Sequence, residues 1–287
     1  IRCDKDFLKE MSEEAGVRLD NLSREIYNYA GCEFNVSSPK QLGNILFDHL
    51  GLPYRKKKKD GANYSTDASI LEGLIGVHPI IELILEYRNL AKLKSTYLDG
   101  LNNYILDDGR IHTIYKQTLT RTGRLSSAEP NLQNIPARDE MDRKVRRAFV
   151  PEYDLFLSAD YSQIELRVLA HISNSENMIE AFKNNEDIHT RVASDIFGVS
   201  PEEVTKSMRR TAKAVIFGIV YGISGFGLGE NLKINPSDAK KFIEKYLELY
   251  PGVSEYMDNI KKEAHIYGSV RSLFNRKRTI EELNSTN

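Results

Sequence analysis

The sequence predicts an α+β chain, predominantly helical with a small amount of antiparallel sheet. Three observations carry that expectation. Apolar residues recur at helical spacing through much of residues 1–30, 70–101 and 164–267. Strand-like alternation is confined to short stretches such as "RIHTIYKQTL". The helical stretches are separated by turn text, "FGVSPEE", "YGISGFG" and "INPSD".

Residues 1–30 are charged and helical in period, and Ser38 is placed to cap a further helix that begins at Pro39. "YRKKKKDGANYSTDAS" interrupts as a basic loop, residues 55–66. Helix returns from Ile70 to about Leu101, broken near Gly76 and Pro79, so the first third reads as a helical unit with one cationic loop. "DLFLSAD" is predicted to be a short buried strand ending on Asp160, and "GSVRSLFNRKRTI" to be two short strands around Asn275.

Composition bounds the function. A chain of 287 residues has room for two or three domains and a sizeable core. The net charge of −1 lacks the strongly basic balance of many nucleic-acid binders, although local stripes matter more than totals. Cys3 and Cys32 fit neither a disulfide framework nor a zinc pattern. With no signal peptide and no apolar run of membrane-spanning length, no membrane partner is expected and the cytoplasm is the default compartment. Starting at Ile1, the chain reads as a piece of something longer.

Three stretches could carry chemistry. In "RRTAKAVIFGIVYG", Arg209, Lys213, Phe217 and Tyr221 recur every four residues along one slowly drifting helix face. That face is about 18 Å long at ~1.5 Å rise per residue. Cations stand at one end and rings at the other, matching a ligand with phosphates at one end and a flat base at the other. Gly222 is placed to end the helix. The alternative is an amphipathic core helix with solvated basic residues.

In "SADYSQIELR", the predicted strand delivers Asp160 at its carboxyl end, a common position for a ligand-handling acid. A carboxylate there could hold Mg²⁺, which prefers one or two carboxylates plus substrate phosphates. It could equally cap the following helix. The third stretch, "TRTGRLSSAEPNLQNIPARDEMDRKVRRAF", is mostly polar and carries Arg121, Arg124, Asn131, Gln133, Asn134 and Arg138. Residues 110–147 hold nine Lys/Arg against four Asp/Glu. Such side chains position a duplex through its phosphates, or form a solvated charged loop.

Together these stretches resemble the family A DNA polymerases, the bacterial DNA polymerase I class. "DYSQIELR" is similar to the family's first catalytic motif, "RRTAKAVIFGIVYG" to its fingers helix, and "TGRLSSAEPNLQNIP" to its primer-template segment. "EDIHT", "KLKSTY" and "YPGV" add to a resemblance that covers nearly the whole chain. It implies a right-hand polymerase fold with a partial antiparallel palm sheet. Residues 1–20 would lead in from the palm, 21–100 form the thumb, 101–170 part of the palm, and 171–287 the fingers, ending in a short hairpin.

The resemblance also implies roles. Asp160 would bind both ions of a two-metal Mg²⁺ site, with the Tyr161 carbonyl on metal. Arg209 and Lys213 would hold the triphosphate of an incoming dNTP, assisted by His189 and Gln163, and Phe217 would stack on the nucleotide. Tyr221 would sit where the template base enters, and Glu165 would exclude a ribose hydroxyl beside the sugar. Arg124, Asn131, Gln133 and Asn134 would touch primer and template, with Lys94, Ser95 and Thr96 near duplex phosphates. The activity implied is DNA-directed DNA synthesis: nucleotidyl transfer from a dNTP to a primer 3′-hydroxyl with release of pyrophosphate.

Departures from the family pattern sharpen the expectations. Ile216 stands where family members carry Asn, and "VRLDNLSREIYNYAG" is shorter than the equivalent thumb stretch. The family's His-Asp-Glu run, which supplies a second metal-binding carboxylate, occurs nowhere in these residues. The isolated chain is therefore expected to be incomplete, with a separate C-terminal palm polypeptide as one partner able to complete it. The rival readings are a non-catalytic nucleotide- or nucleic-acid-binding remnant, and a single-subunit RNA polymerase, against which Glu165 in its "SQIELR" context argues.

Overall fold

The computed structural model describes residues 1–54, 63–137 and 140–284; the lysine run of the basic loop and Arg138 lie outside the described residues. The chain divides into two compact units, Ile1–Leu157 and Ser158–Asn287.

The first unit opens with β1 (Arg2–Cys3) and α1 (Lys5–Ala30). Asp4 caps α1 by accepting from Phe7 N, and Gly31 closes it at φ 71° with its N–H on the Tyr27 carbonyl. Leu8, Met11, Ala15, Leu22, Ile26 and Ala30 are buried along α1. They are spaced by three, four and seven residues, the signature of one helix face. After it come α2 (Pro39–Gly43), which continues into a π-helical turn over Asn44–His49, then α3 (Ala68–Glu72) and α4 (Ile80–Leu93), which continues likewise over Lys94–Leu98. Ser38 caps α2 ahead of Pro39 as the sequence predicts, and the 70–101 stretch breaks between α3 and α4, where Gly76 takes φ 80°.

α1 packs on α4 and serves two cores. Its amino-terminal half joins Leu90, Leu93, Leu98, Val145 and Ala148, while Ile26 and Ala30 join Leu42, Leu46, Leu71, Ile81 and Ile84. The remaining strands and α-helix of this unit are β2 (Ile114–Lys116), β3 (Ser126–Ala128), α5 (Glu140–Val145) and β4 (Phe149–Val150). β1 pairs antiparallel with β4, Cys3 opposite Phe149, and β2 pairs antiparallel with β3, Tyr115 opposite Ser127.

The second unit is built from α6 (Ile164–Ile172), α7 (Glu176–Lys183), α8 (Ile188–Phe197), α9 (Lys206–Val220), α10 (Gly225–Leu232), α11 (Pro236–Leu249) and α12 (Pro251–Tyr267). It ends in the antiparallel hairpin β5 (Ser269–Arg271) and β6 (Lys277–Thr279), with Asn275 in the turn at φ 66°. α8 packs on α9 and α10 on α11 around one apolar core that includes Leu166, Val192, Ile216, Ile219 and Tyr246.

One expected strand is absent. Asp154–Asp160 forms no strand, and Leu155 and Leu157 are 85% and 97% exposed. A strand needs a pairing edge, and none among the described residues meets this run, so its apolar side chains alone do not make it one. Asp160 does not cap the next helix either, since Gln163, at φ 53°, occupies the N-cap of α6.

Candidate functional site

The second unit holds nine of the site residues singled out above and brings Glu165, His189, Arg209, Lys213, Phe217 and Tyr221 around α9. α9 starts where Thr205 accepts from Met208 N, and ends with Tyr221 at the C-cap and Gly222 at φ 71°. Ala212, Val215, Ile216 and Ile219 are buried, which turns the other face outward. A Cβ at Gly218 would run into the Ile223 side chain, so glycine here lets the chain fold back against the helix. Ile216 is fully buried in the core, so the residue that departs from the family pattern acts by packing.

Along the outward face the Lys213 ammonium lies 5.9 Å from the centre of the Phe217 ring. Phe217 stacks on Tyr221 with centroids 6.4 Å apart and planes 11° apart. Tyr221 Oη donates to Glu165 Oε2 at 2.9 Å, which ties the first turn of α6 to the end of α9. The His189 ring is 6.0 Å from Phe217. Lys213, Phe217 and Tyr221 share a 480 Å³ cavity with Arg210, Ile223 and Asn231.

Arg209, at the start of this row, is held by Asp187. Arg209 Nε and Nη2 donate to the two carboxylate oxygens at 2.6 and 3.2 Å. The same carboxylate accepts from Thr190 Oγ1 at 2.7 Å and caps α8 through His189 N at 3.3 Å. Burial alone would raise the Asp187 pKa, but the hydrogen bonds from Arg209 and Thr190 and the Arg209 charge outweigh it and hold it at about 2. His189 is pushed below its ordinary value, first by burial and then by the Arg209 and Lys213 charges, with Asp187 opposing. Neutral imidazole is therefore its form at pH 7. His189 Nδ1 and Gln163 Oε1 are buried polar atoms with no hydrogen-bond partner among the described residues.

Asp187 was missed as a site residue in the sequence, although Asp before Ile-His-Thr is a readable N-cap signal. Asp160 and Tyr161 are exposed beside α6. No group of three or more His, Cys, Asp or Glu among the described residues is arranged to hold a metal. Asp160 is thus a single exposed carboxylate, a donor set that fits Mg²⁺ only where substrate phosphates and other ligands complete the shell.

In the first unit, Thr96, Asn131 and Asn134 line one 590 Å³ groove with Lys92, Tyr97 and Asp142. Gln133 and Asn131 also hold the loop that carries them. Gln133 Oε1 accepts from Ser127 N at 3.1 Å, and Asn131 Oδ1 accepts from Gln133 N at 3.0 Å. Lys94 is engaged within the unit, donating to Asp99 Oδ2 at 2.7 Å and to Ser12 Oγ at 2.8 Å. Ser95 lines a neighbouring cavity with Thr66, Arg88 and Lys92. Arg124 lies just before β3, where its carbonyl accepts from Thr120 Oγ1.

A mostly helical chain with small antiparallel sheets thus carries a cation-to-ring row on one helix of the second unit and a polar groove in the first. Residues 5–287 match the sequence pattern of DNA polymerase family A, and the chain belongs to that family. It is 53% identical over its whole length to DNA polymerase I of Streptococcus pneumoniae strain TIGR4 and 54% to DNA polymerase I of Geobacillus stearothermophilus. The chain spans 33% of each of those proteins, about a third of their length. The polymerase domain of Pol1 from M. smegmatis, solved in complex with DNA primer-template and dNTP, superposes with a TM-score of 0.90 at 41% identity, covering all of this chain and 51% of that one. No helix among the described residues is long and apolar enough to cross a membrane.

Proposed function

We propose that this chain is the thumb, fingers and part of the palm of a DNA-directed DNA polymerase, and that it serves template-directed transfer of a dNTP to a primer 3′-hydroxyl with release of pyrophosphate. The single observation that carries this reading is the row from Arg209 through Lys213 and Phe217 to Tyr221, bounded by Glu165 and His189. It offers cations for phosphates, a ring for the base or sugar, and a carboxylate beside the ring.

Residues 21–100 are the thumb, 1–20 and 101–170 the palm part, and 171–287 the fingers. Arg209 and Lys213 bind the triphosphate, and the orphaned polar atoms of Gln163 and His189 find partners on the nucleotide. Phe217 stacks on the nucleotide, Tyr221 meets the template base, and Glu165 closes the space beside the sugar C2′. Arg124, Asn131, Gln133 and Asn134 contact primer and template, and Ser95 and Thr96 duplex phosphate. Lys94 supports that surface through Asp99 and Ser12. Asp160 and the Tyr161 carbonyl are hard oxygen donors for Mg²⁺, which when bound would stabilise charge on the reacting oxygens. The compartment is the cytoplasm.

The test is Mg²⁺-dependent primer extension by this chain supplied with the His-Asp-Glu-bearing C-terminal segment of a relative, compared with the same assembly carrying Asp160→Asn. Extension that needs a template and is abolished by Asp160→Asn is the expected result. Extension that Asp160→Asn leaves intact refutes the assignment, and failure to extend in any assembly favours a binding role.

A further inference from the structure

We propose that Asp187 is a positioning residue for phosphate binding: by taking the side edge of the Arg209 guanidinium, it aims that group's remaining donors at the phosphates of a nucleotide. The inference rests on the reading of the second unit as a nucleotide site.

A guanidinium carries five N–H donors in a fixed plane. Asp187 engages Nε and Nη2, two of them, through both carboxylate oxygens. Three donors remain, both on Nη1 and one on Nη2, all on the edges facing away from the carboxylate. Asp187 is itself fixed from two further directions, by the Thr190 hydroxyl and by the backbone N–H at the start of α8. A long flexible side chain is thereby held by a short one anchored at a helix terminus, which lowers the ordering cost of binding an anion.

The anchor is braced in turn. Arg191, one turn into α8, bonds Glu186 at 3.1 Å and lies 3.5 Å from Asp195. Asp195 accepts from the buried Tyr250 hydroxyl at the start of α12. The α8 terminus is thus tied into the helical core, and the Asp187 carboxylate is ionised throughout the neutral range.

Asp187→Asn is the informative variant because Asn still caps α8 but cannot accept both charged Arg209 donors. The probes are sodium triphosphate and dATP, titrated by calorimetry into the 287-residue chain and its variants. Expected is a rise in Kd of roughly tenfold for both probes with Asp187→Asn, at an unchanged far-UV spectrum. Asp187→Ser, which also caps, is expected to behave alike. Arg209→Ala is expected to weaken binding as well, and adding Asp187→Asn to it to cost nothing more.

Unchanged or tighter binding in Asp187→Asn overturns the proposal, since the carboxylate would then be neutral toward phosphate or a competitor for Arg209. Additive losses in the double variant overturn it too, because Asp187 would then act independently of Arg209. A parent chain that binds neither probe overturns the nucleotide-site reading, and the inference falls with it.

Discussion

The Tyr221 hydroxyl donates to Glu165 Oε2 across 2.9 Å, joining two side chains 56 residues apart in sequence. One belongs to the first turn of α6 and the other to the C-cap of α9. Because Tyr221 also stacks on Phe217, the position of the Glu165 carboxylate and that of the ring row are linked. A substitution at Glu165 therefore does two things: it removes volume and charge beside the ring, and it frees the Tyr221 hydroxyl from this bond.

The first prediction follows from that link. In a completed enzyme Glu165→Ala should admit ribonucleotides while moderately lowering dNTP use. Tyr221→Phe, which keeps the ring but removes the bond, should relax sugar discrimination less. Single-nucleotide incorporation with ribo- and deoxynucleotides checks both. A Glu165→Ala enzyme that rejects ribonucleotides as strongly as its parent places the discrimination elsewhere.

Acid stability gives a second. The Asp187 carboxyl is held at about 2 in the folded chain, against 3.8 ordinarily. A depressed folded value means that its contribution to stability is complete above about pH 4 and is lost as pH falls toward 2. Both side chains of the pair with Arg209 are more than a third exposed, so solvent screening reduces the effect. Asp187→Asn should accordingly flatten the dependence of urea unfolding on pH between 4 and 2, leaving the slope above pH 5 unaltered. An identical acid profile for parent and variant would show that the pair contributes nothing to folding.

A third concerns His189. Its imidazole is held below the usual histidine range by burial and by Arg209 and Lys213. A bound triphosphate would offset those cations and favour the charged ring. The His189 ring resonances should therefore titrate below pH 6.5 in the free chain and move to higher pH with triphosphate present. NMR of the ring carbons reads this directly, and a downward shift would mean that the phosphates do not approach this ring.

Local chemistry was legible in the sequence and long-range pairing was not. Ser38 before Pro39, Gly222 after α9 and the two strands around Asn275 depend on a few neighbouring residues, and all three are present. The run Asp154–Asp160 has strand composition, but a strand also requires a partner, which composition does not report. Arg209 and Asp187 are 22 residues apart, and Lys94 and Ser12 are 82 apart. In both cases the cation's charge was legible and its engagement by a distant residue was not. Motif spacing placed Phe217 and Tyr221 on one face, and only coordinates show their rings stacked.

The last prediction separates two residues one turn apart. Lys213 and Phe217 are adjacent on α9, with the ammonium 5.9 Å from the ring centre, yet truncating them should have different consequences. On the proposed reading Lys213→Ala removes a charge directed at a triphosphate whose negative charge redistributes in the transition state, so it should lower the catalytic rate as well as affinity. Phe217→Ala removes a stacking surface worth about 1–3 kcal/mol per base in single-strand binders, and should act mainly on nucleotide affinity. Phe217→Tyr keeps the stack and adds a hydroxyl at the ring edge, which by the family resemblance lies near the sugar 3′ position and should ease acceptance of dideoxynucleotides. Pre-steady-state incorporation of dNTP and ddNTP by a completed enzyme distinguishes these outcomes. If Phe217→Tyr leaves the ratio of the two unchanged, the ring faces the base rather than the sugar, and the loss in Phe217→Ala must then come from stacking alone.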